Sequence, residues 1–247
     1  MRYLILSDIH ANLEALETVL GDEPAKDHDR LIVLGDLVGY GADPNAVVER
    51  IRGMNPLAIV RGNHDKVAAG LESSEGFNTI ARRAAEWTAS ALTRANREYL
   101  AALPAGPLEV GTELEICHGA PYDEDAYIIN ERYAVRALRF ALRPLCLFGH
   151  THFPLALKGD GDRFQLIGRG PHLDGCIPIA ESSKYLINPG SVGQPRDGDP
   201  RAAYGIFDDM SREMFLYRVT YPVTQAQAKV IAAGLPEPLA ERLILGR

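Results

Sequence analysis

Tyr3-Leu4-Ile5-Leu6-Ser7-Asp8-Ile9-His10 runs from four apolar-type residues directly into a carboxylate and an imidazole. A run this short and rich in Ile and Leu, closed by polar residues, reads as a buried strand. The arrangement comes back four times. Leu31-Ile32-Val33-Leu34 leads into Gly35-Asp36, and Leu57-Ala58-Ile59-Val60 leads into Arg61-Gly62-Asn63-His64-Asp65. Leu114-Glu115-Ile116-Cys117 is followed by His118-Gly119, and Leu145-Cys146-Leu147-Phe148 by Gly149-His150-Thr151-His152. Every one of these strands ends in side chains able to bind a metal ion.

Helical stripes lie between the first three runs: Leu13, Leu16, Val19 and Leu20, then Val47, Val48 and Ile51 behind Asp43-Pro44. Strand-helix-strand-helix-strand order predicts a largely parallel sheet with right-handed crossovers. Such sheets bind ligands beyond the carboxyl ends of their strands. The five polar clusters are therefore expected along one edge. From about Lys66 to Pro104, Ala-rich sequence around Trp87 and Tyr99 holds no strand-like run, which predicts a helical insertion over 66–104 beside the site. Glu131 to Leu142 reads as a further helix, stopped by Pro144. From Phe153 to Thr220, short strands and turns such as Lys158-Gly159-Asp160-Gly161-Asp162 predict a second, mostly antiparallel sheet packed on the first. The tail carries a helical stripe at Ala226, Val230 and Ile231. No repeat or linker divides the chain, so residues 1–247 are expected to form a single domain.

Composition narrows the function classes. Of 247 residues, 46% are hydrophobic and 24% charged, which fits a globular chain rather than a disordered one. A formal net charge of −7 argues against a protein that coats nucleic acid or anionic membrane, although a local basic patch stays open. No apolar run approaches the ~18 residues of a membrane span. Asp8 follows the first apolar run too early for a signal-peptide core. Cys117, Cys146 and Cys176 form no close pair, which speaks against a disulfide framework or a Cys-type zinc site. A cytoplasmic location with reduced thiols is expected.

Five of the seven histidines, His10, His64, His118, His150 and His152, directly follow the apolar runs. Asp8, Asp36 and Asn63 stand in equivalent places. Imidazole nitrogens with carboxylate and carboxamide oxygens suit divalent manganese, zinc or iron. Asp8 and His10 are two apart, as are His150 and His152, so each pair projects to one side of an extended segment. These groups exceed what one ion needs, which points to two ions sharing a carboxylate. Asp36, alone on a loop behind Gly35, is the natural bridge. His28 and His172 have no partner motif.

Asp8-x-His10, Gly35-Asp36, Gly62-Asn63-His64-Asp65, His118-Gly119 and Gly149-His150-x-His152 together resemble the motif set of the calcineurin-like metallophosphoesterase superfamily. Ile187-Asn188-Pro189-Gly190-Ser191-Val192-Gly193 resembles the closing strand and loop of its small bacterial and archaeal branch. The resemblance implies an α/β fold, a four-layer α-β-β-α sandwich of two packed mixed β-sheets flanked by helices. It implies one ion on Asp8, His10, Asp36 and His152 and a second on Asp36, Asn63, His118 and His150. His64 would stand outside the metal shell beside the scissile phosphate, positioned by Asp65; Asp65 is also readable as a helix cap ahead of Lys66-Val67-Ala68.

Three further residues are candidate substrate contacts. Asn12 reaches a phosphate oxygen or caps the Leu13–Leu20 helix. Tyr40, in Gly39-Tyr40-Gly41, stacks on a base or bonds a phosphate. Arg196, in Gly193-Gln194-Pro195-Arg196-Asp197, gives a bidentate phosphate contact or is surface charge. The expected function is a dinuclear metal-dependent phosphoesterase acting on small phosphomonoesters or phosphodiesters, such as dinucleoside polyphosphates or cyclic nucleotides. Two ions about 3.5–4 Å apart clamp a phosphate and acidify a water. A nucleic-acid strand is the weaker substrate expectation, because no basic groove is visible in the sequence. The competing expectation is a catalytically silent scaffold on the same fold.

Overall fold

Alternation along the first strand sets the layering. In β1 (Arg2–Leu6), Leu4 and Leu6 join one apolar cluster and Ile5 joins another, because successive side chains leave a strand on opposite faces. In β2 (Arg30–Val33), Leu31 and Val33 follow the first pair and Ile32 follows Ile5. The computed structural model describes residues 1–247 and shows where each face goes. The Leu4 face is covered by helices. The Ile5 face meets a second sheet.

The remaining elements, in chain order, begin with α1 (Leu13–Gly21), α2 (Glu23–Lys26), α3 (Pro44–Gly53), β3 (Ala58–Ile59) and α4 (Asn63–Ala69). Then come α5 (Thr79–Ala91), α6 (Arg94–Ala101), β4 (Leu108–Val110), β5 (Leu114–Ile116) and α7 (Glu131–Phe140). Strands β6 (Leu145–Leu147), β7 (Leu155–Asp160), β8 (Arg163–Arg169), β9 (Gly175–Pro178) and β10 (Lys184–Asn188) follow. The chain closes with β11 (Ala202–Asp208), β12 (Glu213–Val219), α8 (Val223–Ala232) and α9 (Glu237–Leu245). Two six-stranded mixed sheets result, ordered β3-β2-β1-β11-β12-β9 and β4-β5-β6-β10-β7-β8.

Ile5, Ile32 and Leu34 of one sheet share an apolar cluster with Ile116, Leu147 and Ile187 of the other, so the sheets pack face to face. A fully buried side chain such as Ile5 contributes about 1.5–3 kcal/mol. Helices α1, α3, α4 and α6 cover the outer face of the first sheet. Helix α7 covers the outer face of the second through Ala134, Ala137 and Leu138. Four layers are formed, as the resemblance implies. The segment 63–101 is helical throughout its regular elements, α4 to α6, and holds no strand.

Three expectations need correction. The strands after Phe153 do not form a sheet of their own. β7, β8 and β10 join β4–β6, whereas β9, β11 and β12 join β1–β3, with β11 antiparallel to β1. The turn pattern revealed hairpins but not their neighbours, since pairing partners lie far away in sequence. For the same reason the polar clusters do not line one sheet edge. Three follow the parallel strands β1, β2 and β3; two follow β5 and β6 in the other sheet. They meet because both parallel sets end at the same end of the sandwich. Helix α7 also stops two residues short of Leu142, with Ala141 extended at φ −60 and ψ 131.

Asn12 caps α1: its Oδ1 accepts from Ala15 N–H at 3.1 Å. Its Nδ2 donates to the Gly193 carbonyl at 2.8 Å and to the Tyr221 hydroxyl at 3.2 Å. Every polar atom of the side chain is used internally, so the phosphate-contact reading of Asn12 falls to the cap reading. We expect Asn12→Ala to lower unfolding free energy by about 1–2 kcal/mol, read from urea melts. A change of only a few tenths would contradict this role.

Candidate metal centre

The sequence places the site residues in strained loops. Asp8, His10, Ala11, Asp36, Tyr40, His150 and His152 all have positive φ, between 50 and 65. Such a conformation costs roughly 1 kcal/mol or more per non-glycine residue and persists where surroundings enforce it. Two glycines allow the close approaches. A Cβ on Gly62 would fall 2.0 Å from Asp36 Oδ1, and one on Gly39 would fall 2.5 Å from His64 Nδ1. Neither gap admits a side chain.

Backbone carbonyls then fix the imidazoles. His10 Nδ1 bonds Val38 O at 3.0 Å, His118 Nδ1 bonds Leu34 O at 2.8 Å, and His152 Nδ1 bonds Gln194 O at 2.6 Å. A carbonyl only accepts, so each of these nitrogens carries the proton and each Nε2 presents a lone pair. His150 is turned the other way. Its Nε2 bonds Asp125 O at 3.1 Å, which leaves Nδ1 with the lone pair.

The lone pairs face one another. His10 Nε2 and His152 Nε2 are 2.9 Å apart, and His118 Nε2 and His150 Nδ1 are 3.0 Å apart. Two acceptors at that distance repel unless a cation or a proton stands between them. Asp36 Oδ2 lies 3.5 Å from His10 Nε2 and 3.4 Å from His118 Nε2, so one oxygen addresses both pairs. Asp8 Oδ1 completes the first group, 3.4 Å from His152 Nε2. Asn63 Oδ1 completes the second, 3.4 Å from His118 Nε2. Asp8, His10, Asp36 and His152 thus form one buried group with metal-ligand spacing, and Asp36, His118 and His150 form another. The donor set fits two divalent cations sharing Asp36.

Electrostatics agree with this reading. Burial holds His10, His150 and His152 well below the usual imidazole range, which keeps them neutral and ready to coordinate. At His118 burial acts the same way, but Asp36 and Asp8 overcome it and lift the group to about 10. With no cation present, the carboxylates draw a proton to the place a metal would take. Burial would raise Asp36, yet the protonated His118 beside it outweighs this and holds the carboxyl well below its ordinary value.

Around this core, Ser7 Oγ donates to Asp8 Oδ2 at 2.6 Å, and His150 N–H donates to both Asp8 oxygens at 3.1 and 3.2 Å. His64 N–H donates to Asp36 Oδ1 at 2.9 Å, leaving Oδ2 to face the imidazoles. The His64 ring is packed between Tyr40 and Phe77, with centroids 4.3 and 4.7 Å away. Arg196 lies over Tyr40 at 5.5 Å and bonds Gln194 Oε1 at 3.0 Å. Tyr40 and Arg196 therefore do stand beside the metal groups.

Asp65 does not orient His64. Its carboxylate accepts from Val38 N–H at 3.2 Å and Gly62 N–H at 3.0 Å. It closes the first turn of α4 from the third helical position, where Gly62 is the cap residue. The helix begins three residues earlier than a cap at Asp65 would require. Sequence reading also missed Phe77, Tyr127, whose ring stacks on His150 at 3.8 Å, and the Asp125 carbonyl. A main-chain oxygen has no sequence signal, and lone aromatics in loops carry none.

The chain belongs to the calcineurin-like phosphoesterase superfamily, whose domain model matches residues 1–211. It is 40% identical to a metallophosphoesterase from Sphaerobacter thermophilus, covering 100% of this chain and 99% of that one, with a TM-score of 0.87. An uncharacterized protein of Methanocaldococcus jannaschii is 38% identical over 246 residues, 98% of this chain and 97% of its own. A hypothetical protein of Pyrococcus horikoshii shares the fold at 19% identity, covering 100% of this chain and 98% of that one, with a TM-score of 0.80.

The shared oxygen gives a direct test. Asp36→Asn preserves size and can still accept from His64 N–H, but it removes the charge common to both groups. We expect bound manganese or zinc to fall from two ions per chain to one or none, by metal analysis after gel filtration, with the far-UV spectrum retained. Two tightly held ions in this variant would contradict the shared-carboxylate arrangement.

Proposed function

We propose that the protein hydrolyses small phosphomonoesters or phosphodiesters, nucleotides among them, with two divalent cations. The observation that carries this reading is the pair of opposed imidazole lone pairs, both addressed by Asp36 Oδ2. Asp8, His10, Asp36 and His152 would hold one cation; Asp36, Asn63, His118 and His150 would hold the other. Bound there, the cations supply charge to neutralise phosphoryl oxygens and to acidify a water.

His64 is the chain's own contribution to the chemistry. Burial lowers its pKa to about 4, so at neutral pH the ring is uncharged. Nδ1 is buried against Gly39 without a partner. An orphaned lone pair is cheaper to bury than an orphaned N–H, which puts the proton on Nε2. That N–H donates to the phosphoryl group or the leaving oxygen as negative charge grows there. Tyr40 and Phe77 hold the ring in place by packing, a task earlier assigned to Asp65. Arg196, next to Tyr40, is suited to a phosphate other than the reacting one.

We expect His64→Ala to retain both ions while turnover falls roughly 10²-fold or more. The loss should be smaller for 4-nitrophenyl esters, whose leaving group needs less help. Phosphate release with and without manganese, alongside metal analysis, measures both. An emptied metal group in His64→Ala, or unchanged turnover, would overturn the role.

A further inference from the structure

Tyr127 connects the metal centre to an unassigned cavity. Its ring stacks on His150 with planes 29° apart, yet the residue is 49% exposed, so part of the ring faces solvent. There it borders a cavity of about 480 Å³ whose wall includes Tyr122, Asp123, Ile129, Tyr133 and Arg136. That volume lies in the range of small-molecule sites. The Arg136 guanidinium sits 4.2 Å over the Tyr122 ring and forms no ion pair. Arg132 and Arg139 follow the same face of α7, at i−4 and i+3, and line an adjoining cavity with Arg136. Neither forms an ion pair; Arg139 lies 5.2 Å over the Phe164 ring, and Glu131 lines the same cavity.

We propose that this cavity is a nucleoside subsite, so that the substrates of the metal centre are nucleotides. The inference rests on the phosphoesterase reading above and names its substrate class. Tyr127 and Tyr133 offer flat apolar faces on which a base stacks, while the Tyr122 ring carries Arg136. Arg136 offers donors and the Asp123 carboxylate offers acceptors, the two polarities that a base edge requires. A sugar phosphate has no π-face for these rings, and an acyl chain has no use for Arg136 and Asp123. His150 is shared: Nδ1 faces the second metal group while the ring faces Tyr127, which sets the base beside the reacting phosphate.

The test uses fluorescent ethenoadenosine 5′-triphosphate and the metal-loaded protein, mixed faster than turnover. The nucleotide should bind with a fluorescence change, and inorganic triphosphate should displace it only at roughly tenfold higher concentration. Tyr133→Ala and Arg136→Gln, both on the exposed face of α7, should each weaken nucleotide binding about tenfold with an unchanged far-UV spectrum. Equal potency of inorganic triphosphate would overturn the subsite, as would wild-type affinity in both variants. A dimer in sedimentation that Tyr133→Ala dissociates would give this face to a second copy of the chain and also overturn it. Release of phosphate from 4-nitrophenyl phosphate is read separately. Nucleotide binding without hydrolysis of any ester would refute the phosphoesterase reading and leave the subsite standing; ester hydrolysis without nucleotide binding would do the reverse.

Discussion

One carboxylate oxygen organises the molecule's chemistry. Asp36 Oδ2 stands between two imidazole pairs whose lone pairs point at each other across about 3 Å. Buried acceptors in that arrangement are destabilising unless positive charge is supplied. The protein nevertheless enforces it from all sides. Four carbonyls lock the ring orientations, Gly62 lets Asp36 approach the start of α4, and His64 N–H occupies Oδ1 so that Oδ2 is left for the centre.

The sandwich is what makes such enforcement possible. Ile5, Ile32 and Leu34 lock one sheet onto the other through the shared inner core. Parallel strands from both sheets then end together, and the loops behind them are forced into left-handed conformations over seven residues. That strain is small beside the apolar burial in the strands leading to it. Packing of the core and placement of the candidate ligands are thus one problem, solved by the same strands.

Much of this was legible in the sequence because the candidate ligands sit immediately after apolar runs. Strand β1 with Asp8 and His10, or β6 with His150 and His152, needs only local pattern to be read. Local pattern could not say that β11 would pair with β1, or that β10 would lie between β6 and β7, since those contacts join distant residues. Asn12 and Asp65 show the same limit at the site. Each stands where a functional residue would stand, and each proves to be satisfied by backbone groups of the fold. The aromatic surroundings of the centre, Tyr127 on His150 and Phe77 on His64, come from loops with no pattern at all.

The central claim is that one oxygen of Asp36 joins two cation sites. Anomalous diffraction from crystals grown with manganese addresses it most directly. The account predicts two peaks about 3.5–4 Å apart, one among Asp8, His10 and His152, the other among Asn63, His118 and His150, with Asp36 Oδ2 between them. A single peak, or two peaks of which one does not touch Asp36, would contradict it.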